Sequence, residues 1–170
     1  MMFRFETHDP ETYRRKARLI SLAMAGQLLV FGLLFSQLLV YAFGSSIWLN
    51  ALGVLLGLVA TSLIFAALKE RPWMSEVRYV WQLKGNLSQV SGYLGALREA
   101  VEQGNNSALH LLTFYHQGMA QLAELNGRTL DDDGELLAER LKVRQRRAER
   151  GLPERVEGFD PQDLQAFKKS

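Results

Sequence analysis

Apolar positions run from residue 19 to residue 68 without one Asp, Glu, Lys, Arg or His, fifty residues in all. The block divides at Gly44-Ser45-Ser46 into segments 19–43 (LISLAMAGQLLVFGLLFSQLLVYAF) and 47–68 (IWLNALGVLLGLVATSLIFAAL). At about 1.5 Å per residue, each is longer than the roughly 30 Å hydrocarbon core of a bilayer. The pattern therefore predicts two membrane-spanning helices folded back on each other at residues 44–46. Tyr41, Phe43 and Trp48 fall where interfacial aromatics belong.

The flanks set the expected orientation. Arg14, Arg15, Lys16 and Arg18 precede the first span, Lys69, Arg71 and Arg78 follow the second, and the turn between carries no charge. The positive-inside rule places both termini in the cytoplasm. Residues 1–18 read as a leader. Within it, Asp9-Pro10-Glu11 supplies an N-cap, a proline at N1 and a first-turn acid, so a helix should start there and run into the first span.

Small and polar residues inside the spans predict how they pack. Gly53, Gly57 and Thr61 recur at intervals of four and allow close helix approach. An antiparallel fold about residues 44–46 brings Gln27 level with Thr61 and Ser62, and Gln37 level with Asn50. Each amide then has a polar partner at its own depth, as lipid requires.

Beyond the second span, Arg71-Pro72-Trp73 interrupts the chain, and Ser75 is a candidate N-cap for a long helix to about Gln103. Its apolar positions Val80, Leu83, Leu87, Val90, Leu94, Leu97 and Val101 form a heptad seam. A second series, Gly85, Ser88, Gly92 and Gly95, points to a closely approaching neighbour or to a helix tolerating weak formers. Gly104-Asn105-Asn106-Ser107 turns the chain into a helix over about 108–125, ended by Asn126-Gly127, giving an antiparallel cytoplasmic hairpin. A third helix over about 134–150 is capped by Asp131-Asp132-Asp133, and residues 151–170 form a tail with a short helix after Asp160-Pro161. The fold class expected is an all-α membrane protein. Its regions are a leader (1–18), a transmembrane hairpin (19–68), a cytoplasmic helical region (69–150) and the tail (151–170).

Overall composition hides this division. The chain has 20 Lys+Arg against 18 Asp+Glu and no cysteine, with a mean hydropathy of −0.07, values typical of a soluble domain. Charge is nonetheless polarised: residues 124–139 are acidic, whereas the next helix carries Arg140, Lys142, Arg144, Arg146, Arg147 and Arg150. That basic run is a candidate contact for anionic lipid or a partner, or a self-compensating solvated face. Residues 69–170 balance 15 bases with 15 acids, which argues against a nucleic-acid domain.

No catalytic, cofactor or metal motif emerges. His110 and His116 lie six residues apart, about 120° around a helix, and cannot share a metal. Asp131-Asp132-Asp133-Gly134 fails as a calcium loop, because Thr129 and Arg140 would occupy positions that require acids. The expected class is not an enzyme, with no cofactor and no small-molecule substrate indicated.

The opening FRFETHDPETYRRKARLISL, the double span and the helical tail resemble a gammaproteobacterial inner-membrane family of unknown function, domain-of-unknown-function family 3087. The resemblance covers the whole chain and implies an inner-membrane location without a mechanism. The leading expectation is a membrane-anchored, non-enzymatic interaction or scaffold protein. Its coiled-coil-like cytoplasmic helices would self-associate or bind a partner protein. The alternative is an accessory or pore-forming subunit of a transport complex, with Gln27, Gln37, Asn50 and Thr61 lining a path.

Overall fold

The computed structural model describes residues 2–128 and 134–168. The chain divides into two compact units, Thr12–Arg78 and a second one assembled from Met1–Glu11 together with Tyr79–Ser170.

The first unit holds most of α1 (Pro10–Phe43) and all of α2 (Ile47–Leu68). α1 begins at the Asp-Pro-Glu signal and continues unbroken to Phe43. Gly44 then takes φ +89°, a conformation open to glycine at no steric cost, and Ser46 resumes extended backbone before α2. Both helices are long and apolar enough to cross a membrane. They meet along small residues: a Cβ on Gly53 would lie 2.5 Å from the Cα of Ser36, and one on Gly57 2.6 Å from the Gly32 nitrogen. Gly32, Gly53, Gly57 and Thr61 are buried, while Leu22, Leu29, Leu33, Trp48 and Leu63 stand exposed around them.

The expected amide pairings do not form. Asn50 accepts a hydrogen bond from the Ser36 hydroxyl at 2.5 Å and makes none with Gln37. Ser62 donates to Leu58 O in its own helix at 2.8 Å, and the buried Thr61 hydroxyl has no partner. Equal depth was an insufficient criterion, because azimuth also counts. Gln37 follows Ser36 and is turned about 100° from the seam that Ser36 occupies.

After α2, Arg71 is extended and Pro72–Met74 forms a 3-10 turn, the interruption expected at this proline. Lys16 reaches Glu76 across this unit at 2.7 Å.

In the second unit, the single helix expected from Ser75 to Gln103 is broken into α3 (Ser75–Ser91) and α4 (Leu94–Glu102). The weak helix formers Ser91 and Gly92 permit the break, and Tyr93 N bonds back to Val90 O at 2.9 Å to close a tighter turn. Asn105 caps α5 (Asn106–Leu125) by accepting from Ala108 N. At the other end Gly127 adopts φ +69° and Arg128 N bonds to Ala123 O, closing α5 as the Asn-Gly pair predicted. α6 (Gly134–Glu149) follows, and the Asp131-Asp132-Asp133 cap expected for it lies outside the described residues.

The heptad seam closes within the chain. Val80, Leu83, Leu87, Val90, Leu97 and Val101 are buried and Leu94 is half-buried. α4 packs on α5, and the missing side chain of Gly118 admits Leu87, whose Cδ2 would be 2.7 Å from a Cβ there. The glycine series faces the other way: nothing approaches within 4 Å of the Cβ positions of Gly85 or Gly95.

The all-α expectation misses one element. β1 (Phe3–Arg4) pairs antiparallel with β2 (Gly158–Phe159), Phe3 opposite Phe159, and Phe5 N bonds to Glu157 O at 3.0 Å. Gly158 is required there, since a Cβ would collide with the Phe3 carbonyl. Residues 1–11 are thus part of the helical unit and not of a separate leader, and the tail belongs to it as well. Phe3 stacks on Tyr79 at 5.4 Å between ring centres, and Phe114 on Phe159 at 4.7 Å, so both chain ends complete the core. A last 3-10 segment, Pro161–Phe167, is capped by Asp160 through Gln162 N, as the Asp-Pro signal predicted.

Candidate functional site

α5 is the central helix of the second unit. Ala108, Leu109, Leu111, Leu112, Phe114 and Leu125 are fully enclosed. Along one side of α5 lies a cleft of about 620 Å³. Its floor includes Thr113, His116, Gln117 and Gln121. One wall is formed by Leu137, Arg140 and Arg144 of α6 with Glu154 and Arg155, the other by residues 5–7.

Two glutamines pin these walls. Gln117 exchanges two hydrogen bonds with the Val156 backbone, both at 3.2 Å. Gln121 donates to Glu6 O at 2.6 Å and accepts from the Tyr79 hydroxyl at 2.6 Å. That hydroxyl in turn receives Glu6 N at 3.1 Å. The cleft is therefore built into the fold by side chain–backbone bonds and does not depend on loop packing alone.

His116 is 2% exposed, and neither ring nitrogen has a hydrogen-bond partner. The Glu139 carboxylate lies 3.6 Å from Nε2, just beyond hydrogen-bonding distance. Leaving such a buried polar group unmatched costs about 1–3 kcal/mol. Burial lowers the His116 pKa below that of an ordinary imidazole. Glu139 opposes the shift, while Arg140 and Arg98 add to it. Glu139 is held below the usual carboxylate range, first by its hydrogen bonds from Arg98, at 2.5 and 2.9 Å. The other two histidines are engaged elsewhere: His110 Nε2 donates to Gly158 O at 3.2 Å, and His8 Nε2 to Glu6 at 3.1 Å.

The basic helix is largely consumed within the chain. Lys142 and Arg146 pair with Glu102, and Arg146 also donates to Val101 O at 3.0 Å. Arg150 donates to Gly104 O at 2.9 Å and Asn106 Oδ1 at 2.7 Å, and Arg144 pairs with Glu154 at 3.0 Å. Arg147, 3% exposed, donates to Pro153 O at 2.6 Å, and burial lowers its pKa. Of the six candidate contacts for lipid or a partner, Arg140 alone has no such bond among the described residues.

The cleft escaped the sequence because its parts lie far apart in the chain: Glu6, His116, Arg140 and Arg155 share no motif and no period. One signal was present. A histidine at position 116 occupies the middle of a long helix, three residues from Thr113 and one from Gln117, a polar run on a face that is buried or half-buried.

Among the described residues no group of three or more His, Cys, Asp or Glu is placed to hold a metal ion. No curated protein and no solved structure matches the chain. A family model described as a protein of unknown function, DUF3087, matches residues 3–164, nearly the whole sequence, and the chain belongs to that family.

Proposed function

We propose that this is a non-enzymatic interaction protein of the bacterial inner membrane, anchored by the α1–α2 hairpin and working through its cytoplasmic helical unit. The observation that carries this reading is the contrast in burial between the two units. The hairpin turns large apolar side chains such as Leu29, Leu33, Trp48 and Leu63 outward and encloses mainly small residues. That distribution suits lipid, where helix association rests on close packing of small residues. The helical unit has the reverse distribution, with a sealed core of Leu, Val and Phe.

The β1–β2 pairing supports the topology. Segments on either side of the hairpin meet in one sheet, so both ends of the chain share a compartment, as an even number of spans demands. The cationic Arg14, Arg15, Lys16 and Arg18, with Lys69, Arg71 and Arg78, favour the cytoplasm as that compartment. Since the heptad seam is occupied within the chain, association falls to other surfaces. The outward face of α3, with Trp81 69% exposed beside Gly85, is the candidate.

The absence of cysteine makes the test direct. Ser45→Cys should react with a membrane-impermeant maleimide from the periplasmic side, and Ser88→Cys only after permeabilisation. Recovery of the chain in the soluble fraction, or reversed labelling, rejects the anchor. For the interaction role, a photocrosslinker at Trp81 should capture a protein neighbour in cells, and one at Gly26 should not. Equal capture at both positions rejects it.

A further inference from the structure

We infer that α6 is a proton-released strap: when the His116 ring takes up a proton, α6 lifts from α5 while the rest of the helical unit stays folded. Two observations carry this. The first is how lightly α6 is seated. Of its sixteen residues only Val143 and Arg147 are buried, whereas α5 buries nine of twenty. Leu136 and Leu137 are half-buried, and Leu141 is exposed. The ties from α6 to α4 are ion pairs with at least one exposed partner: Glu139 with Arg98, and Lys142 and Arg146 with Glu102. Such pairs hold weakly in water. A helix with little buried apolar surface is the kind that opens locally.

The second observation is where the ring sits. Both His116 nitrogens are closed to solvent without a hydrogen-bond partner, and Glu139 of α6 stands 3.6 Å from Nε2. That carboxylate is already engaged by Arg98. A neutral ring suits this place. A charged one would be buried near two cations, Arg98 of α4 and Arg140 of α6, with one shared carboxylate to offset all three. Tyr115 of α5, its ring edge-on at 5.6 Å, adds no charge at neutral pH. The lining of the cleft balances, Glu6, Glu124 and Glu154 against Arg140, Arg144 and Arg155, and leaves the ring no further compensation. The ring therefore gains its proton when α6 moves aside, and in water it holds that proton with the affinity of an ordinary imidazole. The open state binds one more proton than the closed state, so mild acid shifts the balance toward opening. Opening uncovers Thr113 and His116 on the floor of the cleft, and the helical unit then presents a different surface.

The test is hydrogen–deuterium exchange of the full chain in a neutral detergent, at about pH 7.5 and about pH 5.5, read by mass spectrometry and corrected for intrinsic exchange. A ring that titrates near 6.5 when open and stays neutral when closed raises the open-to-closed ratio about tenfold across this interval. Peptides within residues 137–148 of α6 should lose about tenfold in protection, and peptides within residues 108–118 of α5 should keep theirs. His116→Gln carries no titrating ring and should abolish the change. His8→Gln, which removes a ring bonded to Glu6, should leave it intact. If circular dichroism shows His116→Gln misfolded, His116→Leu takes its place. Equal protection of α6 at both pH values, loss from α5 and α6 together, or a tenfold loss that persists in the His116 variant overturns the inference.

Discussion

Gly57 of α2 lies so close to Gly32 of α1 that a Cβ on Gly57 would stand 2.6 Å from the Gly32 backbone nitrogen. The contact is backbone on backbone, so the neighbour has no flexible side-chain end to move aside. Gly57→Val should therefore force the helices apart, at the cost of about 1–3 kcal/mol typical of overpacking. Thermal unfolding in detergent should show a lower midpoint. Gly26→Ala, with nothing within 4 Å of its Cβ position, serves as the neutral control.

Phe3 is expected to matter far more than its place near the chain end suggests. It is buried between Tyr79 and Phe114, and Phe3→Ala should cost about 3–5 kcal/mol, the usual loss for an enclosed aromatic. Met2→Ala, next to it and exposed, should be close to silent. Chemical denaturation followed by tryptophan fluorescence separates the two, and equal effects would contradict the role of the β1–β2 pairing in closing the core.

His116 gives the helical unit a pH dependence with a defined sign. Burial depresses its folded pKa below that of an ordinary imidazole, about 6.5, so the unfolded chain binds the extra proton first. The stability this preserves is present above about pH 6.5 and is lost as pH falls through that value toward the folded pKa. The slope cannot exceed about 1.4 kcal/mol per pH unit for one proton. The charged groups around the ring are Glu139, Arg140 and Arg98, and Glu139 is itself held below the usual carboxylate range, first by its hydrogen bonds from Arg98. Unfolding midpoints between pH 7.5 and 5.5 should fall less for His116→Gln than for the unaltered chain. Parallel profiles would remove His116 as the origin.

Arg146 and Arg150 act as a C-terminal cap on α4 from another helix, since their guanidiniums meet the Val101 and Gly104 carbonyls. Cations at a helix C-terminus favour the orphan carbonyls and the dipole. Replacing both by Ala should lower stability by about 1–2 kcal/mol and raise amide exchange around residues 101–106. The same variant should bind anionic vesicles no differently from the parent. A large drop in vesicle binding would restore the basic helix as a lipid contact.

What could be read from the chain alone follows the range of the interactions. The ends of α2, the start of α1 at Pro10 and the caps at Asn105 and Asp160 depend on neighbours a few residues away, and the one-dimensional pattern records them. The heptad residues were recognised as a seam, but periodicity says nothing about whose helix fills it. The break at Gly92 was hidden by that same unbroken heptad. Two-residue strands leave no alternation to detect, so the partnership of Phe3 with Phe159 was invisible. The cleft was hidden for a similar reason: it exists only once α6 and residues 5–7 dock on α5.

The pairing of β1 with β2 also has a consequence in time. Ribosomal synthesis delivers Phe3 well before Phe159, with both long apolar helices made in between. The strand at Phe3 must wait, unpaired, until residues 5–157 have been made. Closing so long a loop is entropically costly and slow compared with forming the helices. The pairing therefore forms after both spans and the helices between them, and a nascent chain stalled before residue 158 holds Phe3 and Phe5 without their final partners.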